Sequence, residues 1–287
     1  MLSLFRWLAR RPLWLLHAIG AVLGWVTYWA SPSYRRRFRE NARQAGISPT
    51  EARPAIAAAG RMVAEAPFLW MRPPGQVIGP LLSWQGSELV EAAMQTRCGI
   101  VFLTPHMGSF EVTAQAVAQE FAASFGPITV LYRPARKAAL RKVMDGSRER
   151  PGLLTAPATL AGVRQMLRAL RRGEAVGLLP DQVPPEGMGV WVPFFGKPAY
   201  TMTLAARLVQ QTGATPLLIW GERLARGAGY TVRVSALGES LPTSDPGQAE
   251  SAAIINRVME RLIRQCPQQY LWGYNRYKQP RAAEPTT

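Results

Sequence analysis

The chain has two histidines, and one of them lies in Thr104-Pro105-His106-Met107-Gly108-Ser109-Phe110-Glu111, with a glutamate five positions further on. On one continuous helix two such residues would stand about 140° apart, at 3.6 residues per turn. They can meet only where His106 sits on a turn and Glu111 in the first turn of the helix that follows. There the carboxylate also complements the helix dipole. An imidazole held on its far nitrogen by a carboxylate is a general base. The spacing therefore offers His106 as a base and Glu111 as the group that fixes its tautomer. A loop histidine beside an ordinary first-turn acid has the same spacing, so the motif alone does not choose.

The elements on either side supply the required turn. Ile100-Val101-Phe102-Leu103 is a short apolar run that reads as a buried strand. Val112 to Phe121 has helical composition, with Ser109 as an N-cap. Further strands are expected at 128–132, 175–179, 216–220 and 230–235, and helices at 87–96, 163–172, 204–211 and 252–264. Alternating strands and helices give an α/β fold with a largely parallel sheet covered by helices. Such sheets bind ligands beyond the carboxyl ends of their strands. His106, Arg133 and Asp181 each follow such an end, which places all three near one crevice.

Composition sets the bounds. A chain of 287 residues, 48% apolar and 18% charged, buries one substantial core and is not disordered. The net charge of +16 requires an anionic partner: nucleic acid, anionic lipid or an acidic protein. Cys98 and Cys266 are isolated and fit neither a disulfide framework nor a metal site, so no metal and no cofactor are expected. From Leu13 to Ala30 no Asp, Glu, Lys or Arg occurs. As a helix, 12–30 would rise about 28 Å, close to the roughly 30 Å hydrocarbon core. Trp14, Trp25, Tyr28 and Trp29 lie towards its ends, Arg6, Arg10 and Arg11 precede it, and Arg35, Arg36, Arg37 and Arg39 follow. The stretch reads as a membrane anchor, with a helix lying in the membrane surface as the alternative. The larger basic cluster after it favours a cytoplasmic catalytic domain. Ser48-Pro49-Thr50-Glu51 is a capping box opening a helix that runs to about Trp70. The resulting division is an anchor at 1–34, a helical segment at 35–80, a catalytic domain at 81–280 and a disordered tail at 281–287.

Two later stretches carry a resemblance. Leu178-Leu179-Pro180-Asp181-Gln182 with Val192-Pro193-Phe194-Phe195-Gly196-Lys197-Pro198-Ala199 resembles the second signature of the bacterial lipid A biosynthesis acyltransferases. Gln269-Tyr270-Leu271-Trp272-Gly273-Tyr274-Asn275-Arg276-Tyr277-Lys278 looks like their C-terminal signature, with Tyr274-Asn275-Arg276 where that family commonly has His-Arg-Arg. The resemblance implies a membrane-associated O-acyltransferase of the inner membrane. It would move a fatty acyl group from acyl carrier protein to a hydroxyl of a lipid A precursor, by direct transfer without a covalent enzyme intermediate. It also implies that Arg150, with Arg148 close behind, matches an important arginine of the family. Arg133, Arg148, Arg150 and Asp181 would then bind substrate, with the 133–150 basic cluster docking acceptor phosphates or the carrier protein. A glycerophospholipid or other glycolipid acyltransferase would use the same His-x4-Glu site. A nucleic-acid-binding protein would explain the charge, but no recognition motif is present, and nucleic acid is not expected as a partner.

Overall fold

The computed structural model of the protein describes residues 2–72, 76–132 and 150–282, so Arg133, Arg148 and residues 283–287 of the expected tail lie outside the described residues. The chain opens with helices α1 (Leu2–Ala9), α2 (Leu13–Ala30), α3 (Pro32–Gln44), α4 (Pro49–Ala52) and α5 (Pro54–Trp70). There follow β1 (Leu82–Gln85), α6 (Ser87–Gln95), β2 (Ile100–Leu103), α7 (Phe110–Phe125), β3 (Ile128–Tyr132), β4 (Leu153–Pro157), α8 (Leu160–Arg171) and β5 (Ala175–Leu178). The last third holds β6 (Gly189–Phe194), β7 (Lys197–Met202), α9 (Leu204–Thr212), β8 (Thr215–Arg223), β9 (Tyr230–Ala236) and α10 (Ala249–Gln265).

Among the described residues seven strands form one sheet in the order β1-β9-β8-β2-β5-β3-β4. Every neighbouring pair is parallel except β8–β9, so the expected α/β fold with a largely parallel sheet is the observed one. The centre is buried on both faces, as parallel strands usually are. Along β2 the pleat sends Val101 and Leu103 into one apolar cluster with α8, α9 and α10, and Ile100 and Phe102 into another with α6 and α7. The strands β1 and β4 and the β6–β7 hairpin were not expected. The first two are edge strands of 4 and 5 residues, too short to show a period of their own. In the hairpin, Phe195 (φ +48°) and Gly196 (φ +74°) form a two-residue turn, and the Phe195 amide donates to Glu260 on α10.

The capping box at Ser48 forms as expected, with Ser48 and Glu51 hydrogen-bonded reciprocally. Pro54 then opens a new helix, α5, at the first helical position, where its fixed φ and missing N–H are best tolerated. Helix α5 is the surface on which α2 lies. Gly20 and Gly24 of α2 meet Gly60 so closely that a Cβ on Gly60 would stand 1.9 Å from the Gly20 carbonyl oxygen. Beside that contact is a buried ionic network. His17 Nε2 lies 3.0 Å from Glu65 Oε2, and Arg223 of β8 donates to both Glu65 oxygens at 2.8 and 2.6 Å. The Tyr230 hydroxyl also donates to Glu65. Burial alone would push the Glu65 carboxyl up, but the charge and hydrogen bonds of Arg223, then of His17, bring it down to about 2.

A carboxyl lowered in this way stabilises the folded state above its unfolded pKa of about 4.3, and the contribution is lost as pH falls towards 2. Removing one partner of a buried pair leaves the other uncompensated, at a cost of about 3–5 kcal/mol. Thermal melts at neutral pH are expected to show that loss for Glu65→Ala. For Glu65→Gln, the decline in stability between about pH 4.3 and pH 2 should be shallower than in the wild type.

Candidate active site

His106 stands two residues beyond Thr104, at the carboxyl end of β2, and Asp181 follows the end of β5. These strands are neighbours with Leu103 opposite Leu178, and the ladder runs one step further through Thr104 N–H to the Leu178 carbonyl. Residues 75 positions apart are thereby brought into contact. His106 Nδ1 lies 2.7 Å from Asp181 Oδ1, and the His106 backbone N–H donates to Asp181 Oδ2 at 2.9 Å. One carboxylate thus fixes both the ring and the main chain that carries it. Asp181 is 2% exposed. Burial pushes its carboxyl up, but the charge and hydrogen bonds of His106, with Arg276 behind, hold it below the usual carboxylate range. A carboxylate on Nδ1 leaves the Nε2 lone pair for a proton. The Phe110 ring packs edge-on against the imidazole, its centroid 5.0 Å away.

The turn itself is gripped from two sides. Gly108 (φ +57°) donates to the Gln269 carbonyl at 3.0 Å, and Leu271 N–H donates to the His106 carbonyl at 3.1 Å. Ser109 N–H donates to the Gly221 carbonyl at 2.8 Å, while Arg223 Nη2 donates to the Gly108 carbonyl at 2.8 Å. A Cβ on Gly108 would meet the Gly221 oxygen at 2.0 Å, so only glycine fits this close approach of backbones. Arg223 therefore serves both Glu65 and the His106 turn. Ser109 occupies the N-cap position of α7, but its side chain makes no capping bond; the backbone bonds to β8 hold the turn instead.

A model of the bacterial lipid A biosynthesis acyltransferases matches residues 6–279. The chain belongs to this family. It is 28% identical to a lipid A biosynthesis palmitoleoyltransferase of Escherichia coli over 224 residues, 76% of this chain and 68% of the relative. A lipid A biosynthesis acyltransferase of Shigella flexneri matches to the same extent. A lipid A biosynthesis lauroyltransferase of Escherichia coli is 32% identical over 117 residues, 40% of this chain and 38% of that protein.

Within this acyltransferase the carboxylate beside His106 is a different one from that expected. The group on His106 Nδ1 is Asp181, expected as a substrate-binding residue, and not Glu111. The sheet order explains the difference, because the β5 loop reaches under the imidazole from the neighbouring strand. Glu111 is in the first turn of α7 as expected, and its Oε2 accepts from Trp70 Nε1 at 3.0 Å. That bond ties the last residue of α5 to the start of α7. Arg150 lies beside it. Its Nη2 donates to the carbonyls of Leu69, Trp70 and Arg72 at 2.9, 3.0 and 3.1 Å, at the negative end of the α5 dipole. These contacts fasten a helix end, a role that the charge run did not suggest. Arg276 of the C-terminal signature is also internal: it is 2% exposed and donates to the Tyr200 carbonyl and the Thr201 hydroxyl.

Arg150→Ala should therefore lower thermal stability by about 1–3 kcal/mol, the cost of orphaning buried acceptors. Arg257→Ala, on an exposed ion pair with Glu239, should cost less than about 1 kcal/mol. Side-by-side melts of the two variants check this.

Proposed function

We propose that this acyltransferase moves a fatty acyl group from an acyl carrier protein thioester to a hydroxyl of a lipid A precursor, in late secondary acylation. The observation that carries the mechanism is the 2.7 Å contact between His106 Nδ1 and Asp181 Oδ1 at adjacent strand ends. His106 Nε2 takes the proton of the acceptor hydroxyl as its oxygen attacks the thioester carbonyl. The C–S bond then breaks, the new ester forms, and the proton passes to the departing carrier thiolate. Asp181 holds the imidazole and stabilises the imidazolium formed on the way. Glu111 acts as a positioning residue, keeping the α5 end against the start of α7 through Trp70. The relatives, a palmitoleoyltransferase and a lauroyltransferase of lipid A biosynthesis, support the acceptor class. The net charge of +16 suits both a phosphorylated glycolipid and an acidic carrier, and Arg133 and Arg148 are the proposed docking groups. The apolar helix α2 would attach the enzyme to the inner membrane, with its site on the cytoplasmic face.

His106→Ala should abolish transfer with the fold intact by circular dichroism, and Asp181→Asn should lower kcat by at least about a hundredfold with KM little changed. Glu111→Ala should lose most activity. The substrate is tested with labelled acyl carrier protein offered to a tetra- or penta-acylated lipid A precursor and, in parallel, to lysophosphatidic acid. Label should enter the lipid A precursor. Preferential labelling of lysophosphatidic acid would overturn the acceptor, and turnover by His106→Ala would overturn the mechanism.

A further inference from the structure

Helix α2 is long and apolar enough to cross a bilayer, rising about 27 Å over its 18 residues. Its surroundings fit another use. Leu13, Leu16, His17, Gly20, Gly24 and Tyr28 form a buried stripe along its whole length, packed on α5. Both ends are held against the same catalytic body. At the start, Gly227 beyond β8 abuts the backbone of Trp14, leaving no room for a Cβ. At the finish, the chain turns at Ser31 into α3, where Asn41 donates to the carbonyls of Trp272 and Tyr274 at 2.7 and 2.8 Å. A helix with both ends on one polar domain cannot place those ends on opposite sides of a membrane. Separating α2 from α5 would also strip His17 from the Glu65–Arg223 pair inside a hydrocarbon layer, which is costly.

The face of α2 opposite the buried stripe is apolar and open. Trp14, Val22, Val26 and Trp29 are 57, 63, 52 and 64% exposed, and Trp7 of α1 is 50% exposed. Cationic groups border this face at each end. Arg11 lies over the Trp7 ring, Arg35 donates to the Trp29 carbonyl, and Arg39 donates to the Tyr28 hydroxyl. On α3 an open depression of about 440 Å³ is lined by Pro32, Arg35, Arg36, Arg39, Glu40 and Arg43. An apolar strip with tryptophans at its ends and an arginine row alongside has the composition of an interfacial helix. The four arginines offer a pocket for phosphate groups.

We propose that α1, α2 and α3 form an in-plane docking surface for an anionic phospholipid bilayer, with α2 lying in one leaflet and the α3 arginines meeting lipid phosphates. This rests on membrane attachment through α2 and replaces crossing by lying flat. The active-site turn, tied to α2 through His17, Glu65 and Arg223, would then be held at a fixed height above the leaflet that contains the acceptor.

The test places single cysteines at the two flanks of α2, Arg10→Cys and Ser33→Cys, in a full-length Cys98→Ser background, since Cys98 is the exposed native thiol. A membrane-impermeant maleimide is applied to inverted inner-membrane vesicles and to spheroplasts. Labelling of both flanks in inverted vesicles, and of neither in spheroplasts, is expected. Labelling on opposite sides would overturn the in-plane surface while leaving membrane attachment intact, and recovery of the protein in the soluble fraction would overturn both. In a second measurement, Arg36→Gln/Arg43→Gln protein is bound to phosphatidylglycerol–phosphatidylethanolamine vesicles and to phosphatidylcholine vesicles. Affinity for the anionic vesicles should fall about 25-fold, at about fivefold per charge near the surface. An unchanged affinity would remove the arginine row from the docking surface.

Discussion

The site depends on the register between β2 and β5. With Leu103 opposite Leu178, the two chains leave the sheet side by side, and the loops beyond them bring His106 and Asp181 to hydrogen-bond distance. A slip of one residue would reverse which side chains face each apolar cluster, so the packing of Val101, Leu103, Val176 and Leu178 against the helices on one face enforces the register. The His106–Asp181 contact is thus fixed by strands whose side chains are buried against helices. Asp181 bonds to the ring and to the main chain of the same histidine, which removes the freedom that a single bond would leave.

A second constraint acts from below. The carbonyl of Gly108 accepts from Arg223, Arg223 is paired with Glu65, and Glu65 also binds His17 on α2. Desolvating these charges is costly, and such a network commonly adds little net stability compared with apolar packing. What it does supply is direction, because a guanidinium forked onto a carboxylate can hold a third acceptor in one place only. The helix that reads as an anchor and the turn that reads as a catalytic site are therefore parts of one connected structure.

The strong positive charge divides by position. Arg150, Arg223 and Arg276 point inward and satisfy carbonyls or carboxylates. The arginines on α3 line an open surface instead. A basic composition alone does not distinguish these uses. The guanidinium serves both, since it presents several donors in a fixed plane and tolerates partial burial.

Much of this was legible in the sequence. The apolar runs at 100–103 and 128–132 coincide with β2 and β3, because a buried parallel strand needs side chains that suit both faces. The capping box at Ser48 and the helix ends at 171 and 212, each followed by a left-handed glycine, were readable because capping and left-handed termination are local chemistry. The His106 turn was legible from the strand before it and the helix after it, and the family from the order of its later signatures. The partner of the histidine was not. Glu111 is near His106 in sequence, while Asp181 reaches it only because β5 lies next to β2, and strand order is a property of the whole sheet. The same holds for the contacts of Arg150 with three carbonyls at the end of α5, which its place in a charge run did not suggest, and for α2, whose composition describes an anchor without saying which of its faces is covered. Local physics decided the elements, and contacts between residues distant in sequence decided which of them share a site.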